Sequence, residues 1–163
     1  MYTYNRKQGI VLTASSIFYT GGEGKFIDIF TDTRFRPGVL PILRKCHSEN
    51  YPLFLICNVG EVLENEYSVK SLHAFYEAVQ DFLIFSEIRL IQIYYECNMK
   101  SRRALPHPTM IKDVCADFDL KPKHILVVGR DYIDYQAASR GGFDYWHGHE
   151  FFNTLVPKKL SSD

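Results

Sequence analysis

Residues 124–134 decide the fold, and they read HILVVGRDYID. The first half is an apolar, β-branched run that ends at Gly129, which predicts a buried strand opening into a turn. A short helix is predicted over residues 132–140, because the glycines at 141 and 142 can adopt the left-handed conformation that ends many helices. A strand, a turn and a helix in this order are typical of a parallel sheet covered by helices.

The rest of the chain repeats this alternation. Apolar runs predict four further strands, over residues 9–12, 52–57, 88–95 and 143–146. Apolar residues at spacings of three and four predict helices over residues 39–43, 64–85 and 110–118. Three glycines and an alternating run predict a small flap within residues 17–36. We therefore predict an α/β fold, a Rossmann-type three-layer sandwich with a central parallel sheet and a small flap.

The length and charge of the chain limit its class. With 163 residues it is long enough for one domain and too short for two. We expect an N-terminal extension over residues 1–8, the domain over residues 9–152 and a polar tail over residues 153–163. Because 19 Lys and Arg residues balance 19 Asp and Glu residues, no net charge draws the protein to nucleic acid or to an anionic membrane.

The four cysteines predict a reducing compartment. They are far apart and form no C-x-x-C pair, so we interpret them as reduced thiols. No run approaches the roughly 18 apolar residues of a membrane span. Residues 1–8 lack the apolar centre of a signal peptide and do not resemble a mitochondrial presequence. Cytoplasm and mitochondrion both remain open as locations.

Five segments, in order, carry a resemblance to a known family. The chain resembles the haloacid dehalogenase superfamily, and within it the small phosphatases of the histidinol-phosphate and heptose-bisphosphate type. The matching segments are residues 35–39 with Leu43, 57–61, 93–95, 106–110, and 127–134 with Ala137, Ala138 and Gly141. The resemblance covers roughly residues 9–146 and implies a haloacid dehalogenase-like fold, with the site at the carboxyl ends of the strands.

The positions of the family's two catalytic aspartates are changed in this chain. The family attacks phosphate with the first Asp of a D-x-D motif after the first strand, and the second Asp is the general acid and base. The resemblance places Thr13 and Ser15 there. A threonine hydroxyl without a base is a poor nucleophile, and a serine hydroxyl does not transfer protons near neutral pH as a carboxylic acid does.

The family's remaining charged positions are changed too. Its phosphate-binding Lys falls on Leu105, with Arg102 and Arg103 nearby, and its magnesium-binding Asp falls on Arg130. A guanidinium repels Mg²⁺, which needs hard oxygen ligands, and it can pair with Asp131 or Asp134 instead. We expect no catalytic residue, no cofactor and no metal, with Thr13, Ser15, Leu105 and Arg130 as vestigial positions.

The sequence gives little support for a zinc site or for other reactive residues. The zinc-binding branch of the family carries a Cys- and His-rich loop, and this chain offers only Cys97 there, so we expect no zinc. Asp28 and Asp32 form a weaker alternative register for the carboxylate pair. His147 and His149 could approach a metal, although a solvated loop is the simpler interpretation. For Cys57, a small apolar residue at a strand end is favoured over a reactive thiol.

These observations lead to one main expectation and two alternatives. We expect a catalytically inactive pseudophosphatase, not an enzyme, that serves as a structural or accessory subunit of a larger protein complex; an organellar, for example mitochondrial, assembly would fit. Asn58, Arg103 and Arg130 could still hold an anion. One alternative is a phosphatase with a displaced active site, which requires a carboxylate pair and magnesium. The other is a phosphometabolite-binding sensor, which requires an open cavity above Asn58.

Overall fold

A five-stranded parallel sheet forms the centre of the protein, with the strand order β3-β2-β1-β4-β5. The computed structural model describes residues 7–18, 35–58, 69–98 and 100–154. The strands are β1 (Gly9–Thr13), β2 (Leu53–Asn58), β3 (Leu90–Glu96), β4 (Ile125–Gly129) and β5 (Asp144–His147). The helices are α1 (Ala14–Ile17), α2 (Val39–Ser48), α3 (Val69–Phe85), α4 (Thr109–Phe118), α5 (Tyr132–Gly141) and α6 (Gly148–Thr154), with a short 3₁₀ helix at Pro122–His124.

The three middle strands are buried along their whole length, as their apolar sequences predict. Val11 of β1 pairs with Phe54 of β2 on one side and with Val127 of β4 on the other. This register brings the carboxyl ends of β1 and β4 side by side. The predicted α/β sandwich with a parallel sheet is therefore confirmed.

Side chains of these strands alternate between two hydrophobic clusters, one on each face of the sheet. Ile10, Leu12 and Leu55 pack with α2 and α6, whereas Val11, Phe54 and Val127 pack with α4 and α5. Burying apolar surface on both faces supplies most of the favourable free energy of such a fold. All four cysteines lie in the described residues and are free thiols, two of them buried in the core.

Helix α6 is the main element that the sequence did not predict. We expected a solvated loop at residues 147–149, but a helix begins at Gly148 and ends at Thr154. It extends past residue 152, where we expected the domain to end. The helix is held by tertiary burial, because Phe151 and Phe152 are almost fully buried. Gly38, with a φ of 81°, permits this packing, since a Cβ there would come within 2.8 Å of the Phe152 carbonyl oxygen.

Two other predictions fall partly outside the described residues. Most of the predicted flap, residues 19–34, lies there, and its described ends, Phe18 and Phe35, form an antiparallel bridge. The start of the helix predicted over residues 64–85 also lies there, and the described helix begins at Val69. Among the helices that the structure describes, we find none with the length and apolar character to cross a bilayer.

Candidate functional site

A buried carboxylate, Asp134, lies where the ends of β1 and β4 meet. It sits in the first turn of α5 and is only 1% exposed. Its Oδ2 atom accepts hydrogen bonds from the Thr13 hydroxyl (2.8 Å), the Ser15 hydroxyl (2.9 Å), and the backbone N–H groups of Arg130 (2.9 Å) and Asp131 (3.2 Å). We call these five residues the Asp134 network.

The three side chains at the centre of the network are buried. Thr13 is 1% exposed and Ser15 is 9% exposed, and their two hydroxyl oxygens lie 3.2 Å apart. Burial raises the pKa of the Asp134 carboxyl above its ordinary value, although the four hydrogen bonds act in the opposite direction. Gly129 allows this close packing, because a Cβ on it would lie 2.5 Å from the Asp134 Cβ.

The ring of Tyr145 also packs against Gly129, next to Asp134. Its Cε2 atom would lie 2.8 Å from a Cβ at this glycine. Burial raises the pKa of the Tyr145 hydroxyl, and the negative charges of Asp134 and Asp131 raise it further. Tyr145 therefore stays a neutral phenol beside the carboxylate.

A cavity of about 270 Å³ opens beside the network, and we call it the strand-end pocket. Its described lining includes two arginines, one histidine and no carboxylate; the lining residues are Ser16, Arg36, Pro37, Arg130, Gly148, His149, Phe152 and Asn153. Arg36 is anchored by a hydrogen bond from its Nε to the Ser15 carbonyl oxygen at 2.8 Å. The pocket therefore presents positive charge and hydrogen-bond donors.

Arg130 and Ser15 join the pocket to the Asp134 network. Arg130 contacts Asp134 through its backbone N–H, not through its guanidinium, and its side chain lines the pocket. Ser15 also contacts both sides: its hydroxyl donates to Asp134, and its backbone carbonyl oxygen accepts from Arg36. The ring of His149 is oriented by Asn153, whose Nδ2 lies 3.3 Å from the His149 Nδ1.

Of the three residues that were predicted to bind an anion, only Arg130 lines the strand-end pocket. Asn58 is 4% exposed, and its amide is fully engaged: Oδ1 accepts from the Leu105 N–H at 2.8 Å, and Nδ2 donates to the Leu105 carbonyl at 3.1 Å. Arg103 pairs with Asp113 and with Glu96. Neither Asn58 nor Arg103 belongs to the described lining of the pocket, and only Arg130 does.

Leu105 takes part in the second hydrophobic cluster and is 7% exposed. It packs where the resemblance places the phosphate-binding lysine. Its backbone N–H and carbonyl groups both form hydrogen bonds with the side-chain amide of Asn58. The predicted open cavity above Asn58 is therefore replaced by a packed contact. The open cavity lies instead beside Ser16 and Arg130.

Sequence reasoning missed two residues of the pocket. Arg36 lies in the matched segment of residues 35–39 but received no role, because its partner is a backbone carbonyl that no sequence pattern reveals. His149 was considered only as a metal ligand. Its backbone N–H instead donates to the His147 Nδ1 at 3.1 Å, so the two imidazoles do not converge on one ion.

The described residues at the strand ends do not fit a magnesium ion. No group of three or more His, Cys, Asp or Glu side chains in the described ranges could hold a metal. The carboxylate oxygen of Asp134 that faces the strand ends already accepts four hydrogen bonds. The alternative pair Asp28 and Asp32 lies outside the described residues. Cys57 is 2% exposed and packs in the first hydrophobic cluster.

Comparison with solved structures identifies the fold. D,D-heptose 1,7-bisphosphate phosphatase from B. bronchiseptica, solved with magnesium and phosphate, is 16% identical, with a TM-score of 0.72 over 85% of this chain and 79% of that chain. The chain has the haloacid dehalogenase-like fold. The corresponding phosphatase from Burkholderia thailandensis is 18% identical, with a TM-score of 0.61 over 84% of this chain and 75% of that chain. A haloacid dehalogenase-superfamily hydrolase from Ehrlichia chaffeensis is 9% identical, with a TM-score of 0.58 over 91% and 96%.

No protein-family model and no curated protein matches the sequence. The fold predicted from the resemblance is confirmed by the solved structures. The prediction that the chain is not an enzyme is wrong by the same comparison, because these structures with the same fold are phosphatases and a hydrolase. The comparison supports a phosphatase-like fold, and it supports neither the predicted pseudophosphatase, nor the subunit role, nor a mitochondrial setting.

Proposed function

We propose that this protein binds a phosphorylated small molecule in the strand-end pocket. The observation that carries the proposal is that Arg36 and Arg130 both line one cavity. Guanidinium groups present planar N–H donors that match the oxygens of a phosphate. The site is displaced from the buried Thr13 and Ser15 to the adjoining surface of Ser16, Arg130 and α6.

The size of the pocket agrees with a small ligand. A cavity of about 270 Å³ is close to the lower end of the volumes that small-molecule sites usually have, roughly 300–1,000 Å³. His149 adds a third donor, because its Nδ1 lies against the Asn153 amide, which leaves Nε2 to carry the proton of the neutral ring. A phosphate monoester with a compact organic group satisfies both the charge and the volume.

Calorimetric titration with inorganic phosphate and with a sugar phosphate tests this proposal. Arg130→Gln removes a charged donor whose hydrogen bonds contribute about 1.5–3 kcal/mol, so we expect roughly 10- to 100-fold weaker binding. Arg140→Gln is the matched control, since Arg140 lies at the opposite end of α5 and is exposed. Equal affinities of the two variants, or no binding by the unaltered protein, would overturn the proposal.

Hydrolysis of the bound ester is a second candidate, favoured by the shared fold and by His149. In this reaction a water oxygen bonds to phosphorus while the bond from phosphorus to the ester oxygen breaks. The neutral imidazole of His149 gives its Nε2 proton to the ester oxygen and takes one from the attacking water at the same nitrogen, which leaves an alcohol and inorganic phosphate. Histidine suits this exchange because each ring nitrogen can donate or accept a proton.

Phosphate release from p-nitrophenyl phosphate tests the second candidate. We expect His149→Gln to abolish turnover and to reduce phosphate binding far less than Arg130→Gln does. Asn153→Ala provides an intermediate case, because it keeps the imidazole and removes the amide that contacts its Nδ1 and the His149 carbonyl oxygen. Turnover that survives in His149→Gln would place the chemistry elsewhere, and a complete lack of turnover would leave binding as the function.

A further inference from the structure

We infer that the strand-end site works without a divalent cation, because hydrogen-bond donors of the chain already occupy the buried Asp134 carboxylate and two arginines carry the positive charge of the pocket. The first half of this inference concerns the folded protein alone. The second half, cation-independent recognition of phosphate, rests on the proposed function.

Hydrogen-bond donors already occupy the space around the carboxylate oxygen that faces the strand ends. Oδ2 of Asp134 has donors at 2.8, 2.9, 2.9 and 3.2 Å. Magnesium binds oxygen at about 2.0–2.1 Å and requires near-octahedral geometry. An ion on this oxygen would have to displace at least the hydroxyl hydrogens of Thr13 and Ser15, which are both buried.

The charges of the neighbouring side chains lead to the same conclusion. Thr13 and Ser15 are neutral, so among the described residues Asp134 is a single buried carboxylate and not one of a pair that would need a cation to offset its repulsion. Hydrogen bonds from hydroxyl and N–H groups compensate for much of the loss of water. In the described part of the chain, the site thus has neither the ligand number nor the negative charge of a magnesium site.

Asp134 also acts as a positioning residue for the pocket. Its carboxylate holds the backbone N–H groups of Arg130 and Asp131, and the Arg130 side chain lines the cavity. The carboxylate thus fixes the backbone of this turn, which leaves the Arg130 guanidinium to meet the ligand.

Thermal unfolding in EDTA and in excess MgCl₂ tests the first half. We expect the same Tm for the unaltered protein in both solutions. Thr13→Asp serves as the positive control, because it places a second carboxylate beside Asp134. Its Tm should be low in EDTA and rise by roughly 5–10 °C when magnesium is in hundredfold excess over its dissociation constant. Ser15→Asp replaces it if that variant does not fold.

Calorimetric titration with inorganic phosphate, in EDTA and in MgCl₂, tests the second half. We expect affinities that agree within twofold. A magnesium-induced rise in the Tm of the unaltered protein, or phosphate binding that requires magnesium, would overturn the inference. A Thr13→Asp or Ser15→Asp variant that folds and gains no stability from magnesium would also count against the inference. In that case the lack of a second carboxylate would not explain why the unaltered protein does not bind magnesium. Failure of phosphate to bind in either solution would refute the proposed function alone, since the Tm measurement still decides the first half.

Discussion

The hydroxyl of Thr13 donates a hydrogen bond to the carboxylate of Asp134 over 2.8 Å, and this contact ties the end of β1 to the first turn of α5. Where two carboxylates would repel each other, a hydroxyl and a carboxylate attract. The contact therefore turns the meeting point of β1 and β4 into a stabilised, closed junction. It also explains why the open cavity lies to one side of it, next to Arg36 and Arg130.

Asp134→Asn should destabilise the fold by about 1–3 kcal/mol. The substitution introduces an NH₂ group, itself a donor, next to the four donors that now bind one carboxyl oxygen. Urea unfolding, followed by circular dichroism, measures the loss. Asp131 is the N-cap residue of α5, and Asp131→Asn is the matched control because Asn caps helices about as well as Asp. Equal losses in the two variants would mean that the buried network contributes nothing beyond the cap.

The stability that Asp134 contributes should depend on pH. Burial raises the pKa of its carboxyl above the ordinary 3.8, so the folded protein binds this proton more tightly than the unfolded chain. The contribution is complete below the ordinary pKa, and it falls as the pH rises through the raised value. We therefore expect the difference in unfolding free energy between the unaltered protein and Asp134→Asn to shrink from acid towards neutral pH.

Urea unfolding of both proteins over a series of pH values measures this difference. Other titrating groups cancel in the comparison because both proteins contain them. A difference that grows as the pH rises would mean that the four hydrogen bonds outweigh burial and lower the pKa. A constant difference would mean that the folded protein does not perturb this carboxyl.

Gly129→Ala should cost more stability than Gly142→Ala, for a different physical reason. A methyl group at 129 would lie 2.5 Å from the Asp134 Cβ and 2.8 Å from the Tyr145 ring, so we expect a loss of about 2–3 kcal/mol or more from overpacking. At 142 there is open space, and only the φ of 72° opposes the change, which costs about 1–2 kcal/mol.

Thermal or urea unfolding of both glycine variants gives the ranking. Gly142→Asn separates the two causes, because Asn tolerates the left-handed conformation and should recover part of the loss at 142. The same residue at 129 should recover nothing, since a larger side chain meets the same atoms. A milder effect at 129 than at 142 would contradict the close packing around Asp134.

The sheet could be predicted because its signals are local. The apolar runs of β1, β2 and β4 and the left-handed glycine after α5 specify elements that tertiary packing then keeps. Helix α6 could not be predicted, because it is stabilised by the burial of Phe151 and Phe152 against residues distant in sequence. Burial of this kind becomes visible only when the sheet is assembled.

The site was predicted less well than the fold. The resemblance identified Thr13, Ser15 and Arg130 as neighbours, yet it gave no sign that Asp134 would bind all three. Arg130 contributes its backbone N–H to the network and its side chain to the pocket. Which of these groups faces Asp134 depends on the direction of the backbone at this residue. Asn58 and Arg103 do not line the pocket: Leu105 holds the Asn58 amide, and Glu96 and Asp113 pair with the Arg103 guanidinium.

Asn58→Asp should destabilise the protein at neutral pH and much less in acid. The new carboxylate would be buried, and one of its oxygens would replace the N–H that now donates to the Leu105 carbonyl at 3.1 Å. Two acceptors would then face each other, and burial of the charge adds to the loss, so we expect a cost of about 2–4 kcal/mol. Protonation restores a donor, because a neutral carboxyl group carries one O–H.

The sign of the pH dependence follows from this contact. The folded state favours the protonated form, which raises the pKa of the new carboxyl, so the loss is small below the ordinary carboxyl pKa and grows as the pH rises through the raised value. Unfolding in urea at several pH values measures it. Asn98→Asp is the control, because Asn98 is exposed and its Oδ1 accepts from the Lys100 N–H, a role that a carboxylate fills equally well. A pH-independent loss at position 58 would mean that Leu105 does not hold the Asn58 amide, and the strand ends would then be open above that residue.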